Sequence, residues 1–212
     1  MRNISLTFLF IFLFALNFSL NSQNKKMLFK SLSTKDKIWA LANFNTIKKS
    51  LEISNTVLSK IDSLSKKDKD FYNKNIEAGK YDAFRHVLWM YKLSENIGVE
   101  KARRIGNIYE RYNEYIFKVN PNSGYDLASM NMDLYNNEVG IYLFLKEGKK
   151  KNEEKLFLII KEIIKNGYVK IVFKDKEYNN LDKNNLIIEE NQWKGKWENQ
   201  RHLINSNSAI CE

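Results

Sequence analysis

The stretch Tyr81-Asp82-Ala83-Phe84-Arg85-His86-Val87-Leu88-Trp89 decides how the chain is read. Asp82, Arg85, His86 and Trp89 fall at i, i+3, i+4 and i+7, so on an α-helix they share one face. A second stretch, Met132-Asp133-Leu134-Tyr135-Asn136-Asn137-Glu138-Val139-Gly140, sets Asp133, Asn136, Asn137 and Gly140 at the same spacing. Each helix then carries a polar stripe where an apolar one is expected. A buried ion left without its partner costs roughly 3–5 kcal/mol, so such residues persist in a core only inside a satisfied network. We therefore expect the two stripes to face each other.

Outward from these stretches the pattern is helical. Ser33-Thr34-Lys35-Asp36 is a helix-start signature, and the apolar spacing predicts helices over about 34–50 and 53–64, or one bent element. The Asp82 helix is expected over about 81–95, ending at Gly98, and the next over about 99–117 with Ala102, Ile105, Gly106, Tyr109 and Tyr112 or Asn113 inward. Asn120-Pro121-Asn122-Ser123-Gly124 is a turn. The Asp133 helix follows over about 127–146, and Glu153 to Lys165 carries a wide apolar face. The period then changes. Tyr168 to Lys174 is β-branched and short, which predicts a strand or extended arm with Leu186-Ile187-Ile188 as its partner. Trp193 and Trp197 stand at helical spacing, and disorder is expected beyond Asn205. The fold class is mainly α: one compact multi-helix domain with a short β-hairpin or extended arm near the C-terminus.

Met1-Arg2 followed by the uncharged run Ile4 to Leu20 reads as a signal peptide over residues 1–22, with cleavage after Ser22. The competing reading is a membrane anchor formed by residues 4–20. A linker over 23–33, the helical domain over 34–188 and a tail over 189–212 complete the expected organisation. The chain is then secreted or periplasmic, and touches a membrane only through an uncleaved N-terminal segment. Cys211 is the sole cysteine among 212 residues, so no internal disulfide contributes. The net charge of +10 favours an anionic envelope component such as phospholipid or glycan. Nucleic acid is not expected, because the lysines alternate with acids and no arginine groove interleaved with aromatics is present. The tail tryptophans are read either as a glycan- or membrane-contacting pair or, more commonly for such residues, as packing against the helices.

The chemistry is read from the stripes. Asp82 and Arg85 are one turn apart and can pair. His86 is the candidate proton-transfer group, oriented by Asp133 or Glu110, with Arg85 holding an anionic substrate or transition state. Asp82, Trp89, Asn136 and Asn137 are expected to line or connect the site, the amides supplying both donors and acceptors. No metal is assigned. His86 and His202 are the only histidines, so an oxygen-ligated divalent cation held by Asp82, Asp133, Glu110 and Asn137 is the remaining option. No Gly-x-Ser-x-Gly elbow, phosphate-cradling Gly loop or Cys pair is present. The competing reading gives the same residues a purely structural role in helix docking.

The paired motifs Asp82-Ala83-Phe84-Arg85-His86-x-x-Trp89 and Met132-Asp133-Leu134-Tyr135-Asn136-Asn137-x-x-Gly140 together resemble an uncharacterised bacterial domain family of secreted and toxin-associated proteins. The resemblance covers about Thr34 to Phe173. It implies a helical fold and an exported setting, and supplies no reaction. Many members of that family carry His where this chain has Tyr109 and Tyr135, which argues against a three-histidine metal site here. The functional expectation is thus an exported helical domain with a polar, His-containing core. It is either an envelope-directed hydrolase or a non-enzymatic binding or structural module.

Overall fold

The structure is a computed structural model that describes residues 22–68, 78–149 and 152–208. The expected leader up to residue 21 and Cys211 lie outside the described residues.

At the centre is α4 (Lys80–Ile97), and its composition explains its position. Ala83, Phe84, Val87, Leu88, Met90, Tyr91 and Leu93 are all buried and point in several directions around the axis. A helix apolar around most of its circumference must be enclosed. It is packed by α3 (Phe44–Lys67), α5 (Val99–Val119), α6 (Leu127–Glu147) and α7 (Glu153–Lys165). Ile53, Val57 and Ile61 of α3, Ile141 of α6 and Leu156, Ile160 and Ile164 of α7 complete the core around it. Ahead of these lie α1 (Ser22–Ser31) and α2 (Thr34–Ala42). Leu28 and Phe29 of α1, Leu32 of the connection and Ala40 of α2 form a smaller apolar cluster with Ile108 of α5. Among the described residues no helix is long and apolar enough to cross a membrane.

The break between the first helices falls at Asn43, earlier than the spacing predicts. Ser33 caps α2 as expected, its hydroxyl accepting from Asp36 N–H at 3.1 Å. Asn43 then sends its side-chain amide back to the Trp39 carbonyl at 3.0 Å, competing with the helical backbone. No break occurs near Leu51, since Ser50 and Ser54 bond to the Ile47 and Ser50 carbonyls within the helix. Gly98 joins α4 to α5 at φ 85, a conformation that favours glycine.

The strand partner also differs from the sequence reading. β1 (Lys170–Val172) pairs antiparallel with β2 (Leu203–Asn205), Ile171 opposite Ile204. The Leu186-Ile187-Ile188 segment instead bridges back to Asn180 and Leu181, with Leu186 and Ile187 exposed and Ile188 buried. The chain returns to β1 because Arg201 is drawn into the interior, where its guanidinium meets Asp126 at 2.9 Å with both side chains almost fully buried. Asp126 also accepts from Asn199 at 2.8 Å and caps α6 through Ser129 N–H at 2.9 Å. Order continues past Asn205: Ser206 is buried and donates to the Ile164 carbonyl at 2.6 Å. The tail tryptophans pack inward, Trp197 against Phe117 with ring centres 5.2 Å apart and Trp193 beneath the Arg201 guanidinium at 4.4 Å.

Helices α4 and α6 are in backbone contact. A Cβ on Gly140 would stand 2.5 Å from the Val87 carbonyl oxygen and 2.9 Å from Met90 Cβ. Alanine there would gain about 1 kcal/mol of helix propensity, but the clash is with backbone that cannot rotate away, and overpacking of this kind costs about 1–3 kcal/mol or more. Gly140→Ala should lose about 1 kcal/mol in urea unfolding, the overpacking cost less the propensity gain; a raised midpoint would contradict the close approach. Removing the partner of a buried ion is costlier. Arg201→Met should destabilise the chain by about 3 kcal/mol, with Trp197 fluorescence shifting to the red at lower urea than the main transition if the tail detaches first.

Candidate functional site

The contact at Gly140 brings a histidine of α4 opposite a carboxyl of α6. His86 Nδ1 lies 2.9 Å from the Asn137 amide oxygen, and Asn137 Nδ2 lies 3.5 Å from Glu110 Oε1. With the amide oriented by Glu110, Nδ1 carries the hydrogen and donates, so the lone pair of His86 sits on Nε2. That nitrogen faces two groups: Arg85 Nη2 at 3.1 Å and Asp133 Oδ1 at 3.1 Å. A lone pair and an ionised carboxylate oxygen repel at that distance. A proton on Asp133 converts the contact into an O–H donated to Nε2.

The electrostatics agree with that placement. Burial, followed by the charge on Arg85, lowers the His86 pKa to about 3, so the imidazole is neutral. Burial, followed by the Glu110 charge, raises the Asp133 pKa well above the carboxylate range. Glu110 is raised by burial as well, but accepts from Tyr125 O–H at 2.6 Å and Asn113 Nδ2 at 3.1 Å. With those donors Glu110 is the ionised member of the carboxyl pair, and Asp133 holds the proton. Burial opposes the charge on Arg85, and the Asp82 carboxylate, with the ionised Glu110 beyond it, restores it. Asp82 meets Arg85 at 3.1 Å and uses its other oxygen to accept from Ala78 N–H at 2.7 Å.

A cavity of about 320 Å³, the more polar of two beside this cluster, is lined by Asp82, Arg85, Tyr109, Tyr125, Ser129 and Asp133 together with the apolar Ile116 and Met132. His86, at 2 % exposure, does not line it and stands behind Asp133. The expectation has His86 meeting the substrate and Asp133 orienting it; Asp133 lines this cavity, and His86 lines the apolar one on its other side. Trp89 covers the histidine on the other side, its indole N–H donating to Ser54 Oγ at 2.8 Å and its ring meeting His86 edge-on at 6.2 Å. A second, apolar cavity of about 410 Å³ lies on that side, and Arg85 and Tyr109 line both.

Asn136 does not belong to the cluster. Its amide brackets Lys170, donating to the carbonyl and accepting from the N–H, each at 2.9 Å. Adjacent helical positions diverge by about 100°, so Asn137 reaches His86 while Asn136 clamps β1. Tyr135 also faces away, half exposed beneath Lys170, whereas Tyr109 packs on Trp89 with ring centres 5.5 Å apart. Sequence reasoning missed the donors that hold Glu110. Asn113 stands one turn from Glu110, a spacing that signals it; Tyr125, in the loop after Gly124, carries no local signal.

The metal option changes its donor set. His86, Glu110 and Asp133 offer one nitrogen and two carboxylate oxygens within 4.8 Å of one another. Asp82, expected in that set, is turned to Arg85 and Ala78. The Arg85 guanidinium already stands at the His86 nitrogen, so its charge competes with any cation there.

Fold and site together define a small helical protein with an ionisable cluster enclosed where three helices meet, beside a polar cavity. The chain belongs to the family described as Domain of unknown function (DUF6973), whose profile matches residues 43–168, more than half of the chain. No curated protein and no solved structure matches it.

The two shifted groups give stability opposite pH dependences. Above the ordinary Asp pKa of 3.8, the unfolded chain releases the Asp133 proton and the folded chain keeps it, so this contribution falls as pH rises. Below the ordinary His pKa of 6.5, the unfolded chain takes up a proton that folded His86 refuses until about 3, so that contribution falls as pH drops. Asp133→Asn removes only the first, and its amide can still donate to His86 Nε2. Wild-type stability should therefore lose ground to the variant between about pH 4 and about pH 7; parallel urea midpoints across that range would mean that Asp133 is ionised in the fold.

Proposed function

We propose that the chain is an exported hydrolase directed at the cell envelope, with Asp133 as general acid, His86 setting its proton, and Arg85 binding an anionic group of the substrate. The observation that carries this reading is the carboxyl pair. Asp133, held protonated, lines the polar cavity next to Arg85, while Glu110 is ionised and reached from the cavity through Tyr125. Carboxyls whose environments drive their pKa values apart divide acid and base work between them.

Arg85 holds the anionic group, and Asp133 gives its proton to the leaving oxygen as the scissile bond breaks. The attacking water passes a proton to the Tyr125 oxygen while Tyr125 passes its own to Glu110. One proton moves from Glu110 back to Asp133 to restore the starting state. The export signal read at Met1-Arg2 and Ile4 to Leu20 and the basic surface support an envelope substrate. No step is routed through a metal, because Arg85 supplies positive charge where the cation would bind.

The second reading is a binding or structural module. It is favoured by the near-complete burial of His86, Glu110 and Asn137 and by Asn136 clamping β1. Purified protein incubated with phosphatidylglycerol vesicles or with peptidoglycan sacculi separates the two. The hydrolase reading expects product by mass spectrometry from one of them, and a loss of about 10²-fold or more in Asp133→Asn with its melting temperature retained. No product from either substrate, or full activity in the variant, would leave the cluster a packing device.

A further inference from the structure

Resting on the hydrolase reading, we infer that the substrate is an anionic phospholipid whose acyl chain occupies the apolar cavity while its phosphate is held by Arg85. The cavity of about 410 Å³ is walled by Leu28, Leu32, Leu51, Val57, Ile105 and Ile108 under Trp89. That size is within the range of small-molecule sites, about 300–1,000 Å³. Its walls come from both apolar clusters of the protein: Leu32, Ala40 and Ile108 from the smaller, Val57, Trp89 and Ile105 from the main core. The two clusters thus leave space between them.

Charge selects the occupant. Among the described residues lining this cavity Arg85 is the only charged one, and His86 beside it is neutral. The same Arg85, with Tyr109, also lines the polar cavity that holds Asp133. A molecule with an apolar chain and an anionic head can therefore place its chain under Trp89 and its head at Arg85, next to the acid. A glycan has nothing to put in the apolar cavity. The basic net charge draws the chain to anionic lipid surfaces in the same sense. Leu28, Leu32 and Ala40 precede the family-matched residues 43–168, so this wall is carried by the N-terminal helices of this chain.

The test is displacement of cis-parinaric acid, whose fluorescence rises in apolar sites, from the full chain. Lysophosphatidylglycerol should displace it at least tenfold more effectively than zwitterionic lysophosphatidylcholine, both below their micelle concentrations. Arg85→Gln should bring the two within about twofold, and Leu51→Glu, which places a carboxylate in the wall, should weaken both at least tenfold. Circular dichroism checks that each variant is folded. If neither variant folds, the wild-type preference alone decides. A wild type that gives no fluorescence rise, because another segment or a second copy covers the cavity, overturns the inference, as does equal displacement by the two lipids. Lipid binding without turnover would keep this site and reject the hydrolase; turnover of sacculi without lipid binding would do the reverse.

Discussion

The arrangement depends on how closely α4 and α6 can approach. At Gly140 the helices are separated by backbone alone, with Val87 on the other side, and any side chain would drive them apart. Gly106 of α5 adds a milder close approach, where a Cβ would press on the side-chain ends of Met90 Cε at 3.2 Å and Asn137 Nδ2 at 3.3 Å. These two positions let three helices converge on one point. His86, Asp133, Asn137 and Glu110 can then meet without long side chains, and short groups held by packing lose little entropy on ordering. Apolar contacts elsewhere hold the bundle together; with α4 and α6 farther apart the histidine would lack its partners.

That closeness fixes the electrostatics. A neutral imidazole, a protonated carboxyl and one ionised carboxylate can share a buried space in which three charges could not. Arg85 keeps its charge because it is the least enclosed member of the group, with 28 % of its side chain exposed and Asp82 beside it. The proton between His86 and Asp133 therefore follows from burial, as a carboxylate facing a lone pair at 3.1 Å would be repelled. It also explains how a cluster with a metal-like donor set holds its shape: Arg85 and that proton converge on the single lone pair of Nε2, the one a metal would need.

Much of this was legible in the sequence because helical periodicity is a local property. The i, i+3, i+4, i+7 spacing set Arg85 and His86 on a shared face, and Asp133 and Asn137 on another. The mainly helical fold followed from the same periodicity. Asn136 shows where the argument stops, because whether a polar residue one step round a helix meets the cluster or a strand depends on what packs there. The partner of β1 was hidden for a related reason. Leu186-Ile187-Ile188 is a better strand by composition than Leu203-Ile204-Asn205, but the buried Arg201–Asp126 pair carries the later segment to the sheet. An Arg and an Asp so far apart give no sign in the sequence that they will pair, and the role of Tyr125 depends on the same long-range closure.

The distribution of these parts along the chain separates chemistry from access. Every side chain in the proton network lies within residues 43–168, the part that belongs to the family. The flanks lie outside it and contribute surroundings. The N-terminal helices supply one wall of the apolar cavity, and the C-terminal arm sets Trp197 against Tyr125 with ring centres 6.2 Å apart and Arg201 against the residue that caps α6. The arm thus supports Tyr125 from behind while leaving its hydroxyl on Glu110. Changes in the flanks would alter what reaches the cluster, or how firmly α6 and Tyr125 are held, while leaving the proton shared by His86 and Asp133 in place. On the proposed reading, substrate choice is carried by segments that the acid–base group does not need for its own geometry.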